Sequence, residues 1–209
     1  MTPADFIRTH LPVTAVPGLP GVVLHLAVPT SGLRRLTDKT PYWAYVWAGG
    51  AVLARYVYAN PSLVKGRRVL DLGAGSGLVG IVAAQVGATV VAAETDPVGQ
   101  VAIGLNAQAN GVSIDRLPGD ILPGPVPPLD LILVGDLFYD PGLVAPVLAF
   151  LDRALAQGIQ VLIGDPGRAA LPVARLDPVS VYDVPDFGSG VPVPATVFRL
   201  MPVATPALR

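Results

Sequence analysis

Short apolar runs recur from residue 68 onward, at 68–72 (RVLDL), 89–94 (TVVAAE), 129–135 (LDLILVG) and 159–164 (IQVLIG). Their length and near-continuous apolar character predict buried strands. Between them lie segments of helical length: 78–86, 97–110 with proline at its first position, and 141–157, which Gly158 ends. Strands alternating with helices imply parallel pairing through crossover connections. The tail differs. Residues 179–184 (VSVYDV) and 195–201 (ATVFRLM) flank a Gly/Pro-rich loop with no helix between them, which predicts an antiparallel hairpin at one sheet edge. Upstream, 49–58 predicts a helix covering the sheet, and 22–28 (VVLHLAV) a strand within an N-terminal extension of residues 1–40, packed on or near the ligand side. The whole reads as an α/β domain at 41–209, mostly parallel and closed by a β-hairpin.

With 209 residues the chain is the size of one domain. Hydrophobic residues make up 52% and charged ones 14%, enough to bury a sizeable core and to exclude disorder as the main state. The mean hydropathy of +0.57 raises the question of a membrane. The longest apolar stretch, 79–93, is interrupted by Gln85, Gly87 and Thr89 and falls short of the roughly 20 residues of a span. A net charge of -1 supplies no basic field, so direct nucleic-acid binding is not expected. Cysteine is absent and the only histidines are His10 and His25, so disulfides, thiolate sites and histidine-rich metal cages are excluded. The chemistry must come from carboxylates, aromatics or a cofactor, with no metal. The start MTPADFIRTH has neither a basic-then-apolar nor an Arg/Ser-rich leader pattern, which predicts a cytoplasmic protein. The Arg count of 12 against two Lys, beside abundant Ala, Gly, Val and Pro, reads as coding bias.

The sharpest local feature is Asp71-Leu72-Gly73-Ala74-Gly75-Ser76-Gly77, ending one strand and opening a helix. Glycines at such a turn let a ligand approach the backbone, and a helix N-terminus offers unpaired N–H groups. Two cofactor readings fit. Gly75-Ser-Gly77-Leu-Val-Gly80 follows the dinucleotide pattern, with Glu94 at the expected distance downstream. Asp71 favours the other, because a carboxylate before the glycines welcomes a cationic amino-acid head group and repels a pyrophosphate. Glu94 can accept from both ribose hydroxyls in either case.

DLGAGSG resembles the first motif of the seven-β-strand S-adenosylmethionine-dependent methyltransferases. Pro41-Tyr-Trp-Ala-Tyr-Val-Trp-Ala-Gly-Gly50, Glu94-Thr-Asp-Pro97, Gly135-Asp-Leu-Phe-Tyr-Asp140 and Leu162-Ile-Gly-Asp-Pro-Gly-Arg168 resemble, in order, the branch that methylates lysine in the electron-transfer-flavoprotein β subunit. The resemblance implies a doubly wound, mostly parallel, Rossmann-like seven-stranded sheet. It implies S-adenosyl-L-methionine as cofactor and S-adenosyl-L-homocysteine as product. Asp71, Gly73, Ala74, Gly75, Gly77 and Glu94 fall on the cofactor side, with Trp47 nearby. The acid-x-x-aromatic motif of the wider group of protein-lysine methyltransferases, here Asp136-Leu-Phe-Tyr139, follows the fourth sheet strand and would face the methyl side of the pocket.

Asp136 and Tyr139 are therefore the candidate catalytic residues. Asp136 would position the acceptor ammonium and orient the amine after proton loss. Tyr139, with Tyr42 or Trp43, would wall the aliphatic stem and contact the cation, worth about 0.5–2 kcal/mol. Phe138, Asp165 and Arg168 complete the candidate acceptor side. Asp120, in GDIL, would accept from the adenine amino group while the Ile121 N–H meets the ring. Plainer roles stand beside these: loop caps for Asp120, Asp136 and Asp165, core packing for Phe138, Trp43 and Trp47, and a surface position for Arg168. Asn106 and Asn110 read as cap or surface residues, and His25 as structural.

The reading is a protein-lysine N-methyltransferase acting on the flavoprotein β subunit, in a bacterial cytoplasm. A ribosomal-protein acceptor is the alternative within the class. An NAD-dependent oxidoreductase and a catalytically silent binding module are the alternatives outside it. The first lacks a Tyr-x-x-x-Lys arrangement, and both histidines precede the glycine turn. The second would require loss of Asp71, Glu94, Asp136 or Tyr139, all of which are present.

Overall fold

The computed structural model describes residues 1–187 and 191–203. Helix α1 (Pro3–His10) leads to a short ribbon of β1 (Val13–Ala15) and β2 (Val23–His25), then to α2 (Ala48–Ala59). There follow β3 (Arg68–Leu72), α3 (Leu78–Gln85), β4 (Thr89–Glu94), α4 (Pro97–Ala109), β5 (Asp115–Pro118), β6 (Leu131–Gly135), α5 (Pro141–Ala156), β7 (Gln160–Asp165), β8 (Leu176–Val184) and β9 (Val193–Leu200). The main sheet has the order β5-β4-β3-β6-β7-β9-β8. Its first five strands are parallel, and β9 pairs antiparallel with both β7 and β8. The expected doubly wound seven-stranded sheet with a terminal hairpin is the fold observed.

Local chemistry sets the helix starts. Thr2 and Asp5 form a reciprocal capping box on α1, while Asp96 and Asp140 cap α4 and α5, each followed by proline. The central strands β3, β6 and β7 are buried on both faces. Alternate residues feed two cores: Val69, Leu131 and Leu133 join Leu53, Ile81 and Val82 of α2 and α3, whereas Leu70, Ile132 and Val134 join Phe150 and Leu151 of α5. Each such side chain contributes about 1.5–3 kcal/mol on leaving water.

Three elements depart from the pattern. Strand β8 begins at Leu176, earlier than 179, and its register shifts between Pro178 and Ser180, where proline offers no N–H to the ladder. Strand β5 is mostly exposed and carries no apolar signal. The run at 22–28 yields only Val23–His25 as strand, because Leu26 and Ala27 turn their N–H groups to Pro12 and Ala44 carbonyls instead.

Asn106 and Asn110 are neither cap nor surface ornaments alone. Asn106 is fully buried, accepting from His25 N–H at 2.8 Å and donating to Ser76 O. Asn110 pairs with both backbone groups of Val23. The two amides act as a substitute strand for β2. Residues Phe6, Ile7 and Leu11 pack with Ala102 and Leu105 of α4 and with Trp43, so the N-terminal segment lies against the helix that follows β4.

Candidate active site

A cavity of about 830 Å³ opens where β3, β4 and β6 end, within the roughly 300–1,000 Å³ of small-molecule sites. Ligands of open α/β sheets bind at these carboxyl ends. One wall is the turn after β3. Gly73, Gly75 and Gly77 have φ of 70°, 53° and 81°, the left-handed region open to glycine. The N–H groups of Gly73 and Ala74 donate to Ala93 O, and that of Gly75 donates to Glu94 Oε2 at 2.8 Å. Gly73, Ala74 and Gly75 line the cavity. Gly77 does not. It starts α3 against Ile103, whose side chain lies 3.3 Å from where a Cβ would sit, so its role is helix packing.

Asp71 lies at the cavity floor, 1% exposed, and its Oδ2 accepts from Gly80 N–H at 2.8 Å. Burial pushes its carboxyl up from 3.8 to about 7, against the lowering effect of that hydrogen bond, and the nearby Glu94 raises it further. Such an acid gains from the arrival of a cation. Glu94 accepts from Gly75 N–H and, through Oε1, from Asp96 N–H at 2.8 Å, and a carboxylate's remaining lone pairs can take a diol. Asp120 and Ile121 stand on the rim, and Asp120 Oδ1 accepts from Leu122 N–H.

Asp136, at the end of β6, forms the opposite wall. It is the one described non-glycine residue with positive φ, 54°, a conformation Asp tolerates better than most. It is 9% exposed, with Oδ2 accepting from Gly49 N–H at 2.5 Å and Oδ1 from Arg168 Nε at 2.7 Å. Arg168 also faces Asp186 at 3.7 Å. Leu137 covers Gly73, while Tyr139 and Tyr42 face each other with ring centroids 4.8 Å apart. Trp47 sits beside Tyr42 and Phe187 and donates Nε1–H to Tyr42 O. Partial burial raises the Tyr139 phenol further above its ordinary value, keeping it neutral.

Three expected acceptor-side residues lie elsewhere. Trp43 is 1% exposed and donates Nε1–H to Asp96, with its ring edge against Gly99 next to Glu94. It belongs to the wall around Glu94 because its indole completes the N-terminal core. Phe138 is fully buried in the α5 core and does not line the cavity, since the left-handed turn at Asp136 sends it inward and Tyr139 outward. Asp165 is buried and holds the loop: its Oδ1 accepts from the Gly167 and Arg168 N–H groups.

Two parts of the site went unforeseen. A Cβ on Gly49 would fall 2.6 Å from Asp136 N, and one on Gly135 would fall 2.8 Å from Gly50 Cα. Helix α2 thus meets the ends of β6 and β7 backbone to backbone, and the paired glycines 49–50 were the available signal. Asp186, which accepts from Ala48 N–H at 3.0 Å, carried none.

A family model described as lysine methyltransferase matches residues 38–169. The chain is 38% identical to the electron transfer flavoprotein beta subunit lysine methyltransferase of Xenopus laevis, covering 88% of this chain and 80% of that one. It is 44% identical to the rat protein of the same name over 61% of this chain and 51% of the other, so it spans about half the length of that relative. Among solved structures, an RNA methyltransferase from Salinibacter ruber in complex with S-adenosyl-L-homocysteine has the same fold, with a TM-score of 0.53 and 21% identity over 75% of this chain and 94% of that one.

Proposed function

We infer from membership of the lysine methyltransferase family, to which this chain belongs, that it is an S-adenosylmethionine-dependent protein-lysine N-methyltransferase acting on the β subunit of electron transfer flavoprotein. The carrying observation is one cavity with two acid-lined sides: Asp71 and Glu94 on the glycine-turn side, Asp136 with Tyr139 and Tyr42 on the other. The residues present fit the cofactor. Asp71 would face its ammonium, Glu94 its ribose hydroxyls, and Asp120 with Ile121 its base. When bound, the cofactor supplies an electrophilic sulfonium methyl. On the other side Asp136 would orient the acceptor nitrogen, the Tyr42 and Tyr139 rings would confine its aliphatic stem, and Trp47 and Leu137 would exclude water. Asp71 in the cavity wall disfavours the pyrophosphate of a dinucleotide.

The acceptor comes from the names of the relatives. No helix among the described residues is long and apolar enough to cross a membrane. The Ala-, Gly-, Val-, Pro- and Arg-rich composition is what favours a bacterial source, whereas the relatives named above are vertebrate. The test is transfer of labelled methyl to purified β subunit, beside a ribosomal-protein fraction. Label on a β-subunit lysine supports the reading. Label confined to the ribosomal fraction removes the acceptor, and label on neither, with cofactor bound, points to another acceptor or to a silent binding module.

A further inference from the structure

The acid beside the acceptor is already neutralised. Asp136 Oδ1 is held by the Arg168 guanidinium at 2.7 Å, and Oδ2 receives the Gly49 N–H at the positive end of α2. The guanidinium is itself fixed at its root. Asp165 Oδ1 accepts from the N–H groups of Gly167 and Arg168, both at 2.7 Å, and Asp186 lies 3.7 Å from the outer nitrogen. This is a costly arrangement for a carboxylate whose task would be only to bind a cation.

The chemistry explains it. A lysine ammonium has no lone pair, and its ordinary pKa of about 10.4 leaves few neutral amines at neutral pH. A bare carboxylate beside it would raise that value and hold the proton in place. We propose that Arg168 is a positioning residue that offsets the Asp136 charge, so that the acceptor lysine loses its proton at the methyl-transfer position. The inference rests on the protein-lysine methyltransferase reading. The proton leaves to solvent through the cavity mouth. The freed lone pair then forms the nitrogen–carbon bond as the carbon–sulfur bond breaks, and that bond's electron pair stays on sulfur.

Other titratable groups line the same cavity or stand next to it. Asp165 lies on the same loop as Arg168, and Asp186 lies between β8 and β9. Tyr139 and Asp140 follow β6, and Tyr42, Asp38 and Lys39 lie on the segment before α2. Asp71 and Glu94 stand across the cavity. Among the described residues lining the cavity, Arg168 and Lys39 are the only Lys or Arg side chains, and Arg168 is the one paired with Asp136.

The test compares the pH dependence of kcat, the KM for β subunit and the cofactor Kd in wild type, Arg168→Gln, Arg168→Lys and Asp186→Asn. Arg168→Gln should move the acid limb of the kcat profile up by about one pH unit, lowering kcat near pH 7.5 about tenfold with recovery toward about pH 9.5. Its KM should fall, since the ammonium is bound more strongly. Arg168→Lys, which keeps the charge, should keep the limb near its wild-type position. Asp186→Asn retains an oxygen for Ala48 N–H and removes a negative charge, so its limb should move the opposite way, by less. The cofactor Kd should be unchanged throughout. A fall in kcat that is equal at every pH, or limbs that do not move, overturns the proposal. If wild type binds cofactor but methylates no lysine at any pH, the underlying reading fails and the inference fails with it.

Discussion

Replacing Asp71 by Asn separates what this carboxylate does for the fold from what it does for the ligand. The side chain is 1% exposed and its carboxyl is lifted from 3.8 to about 7 by burial. The native carboxyl holds its proton to a higher pH than the unfolded one, so stability falls as pH rises from about 4 to 7 and the cost is fully present above that. At about 1.4 kcal/mol per pH unit the ceiling is about 4 kcal/mol, and relaxation and water around the charge reduce it to about 2 kcal/mol. Asparagine keeps an oxygen for the Gly80 N–H and drops the charge. The ligand-free variant should therefore exceed wild type least near pH 4.5 and most above pH 7, by about 4–8 °C in Tm there for a chain this size. The same variant should bind S-adenosylmethionine at least about tenfold more weakly, because the ammonium loses its counter-charge. Thermal unfolding from pH 4.5 to 8.5, with titration calorimetry at pH 8, measures both. A variant destabilised equally at all pH values would refute the desolvated-charge account, and unchanged affinity would refute the ammonium contact.

Asp136→Asn tolerates the left-handed backbone and should fold, bind cofactor within about threefold of wild type, and lose at least about 100-fold in kcat, read by labelled-methyl transfer. Gly49→Ala brings a methyl against Gly164 O and Asp136 N, which cannot yield as a side-chain tip would; urea unfolding should show a loss of about 3 kcal/mol or more. Phe138→Ala should cost about 3–5 kcal/mol in the same assay, with the cofactor Kd of the folded fraction unchanged. Tyr139→Ala should raise the acceptor KM by about 2- to 30-fold, while Tyr139→Phe, which keeps the ring, should stay near wild type.

Strands β3, β4, β6 and β7 were legible because their burial is continuous and local, and the glycine turn because its backbone demands are written into adjacent residues. The acceptor side was less so. Phe138 and Tyr139 are neighbours of similar chemistry, and which of them faces the cavity is decided by the positive φ of Asp136, not by either residue. Trp43 could not be assigned to a wall without Asp96, 53 positions away. Asn106 and Asn110 looked like ordinary helix-end residues because their partners on β2 are more than 80 positions earlier. The Arg168–Asp136 pair joins two loops from different strands, so both residues could be named from sequence while their ion pair could not.

The glycine contact between α2 and the ends of β6 and β7 makes this region one mechanical part. With no side chain between Gly49 and Gly164 or between Gly50 and Gly135, no neighbouring rotamer can adjust if one partner is exchanged. A chimera that took α2 from another protein without both glycines would push the helix outward and carry the Gly49 N–H away from Asp136. Grafting this site onto a new scaffold therefore means moving helix and strand ends together as a rigid cassette, in which only Tyr58 and Ala59 of α2 stand exposed.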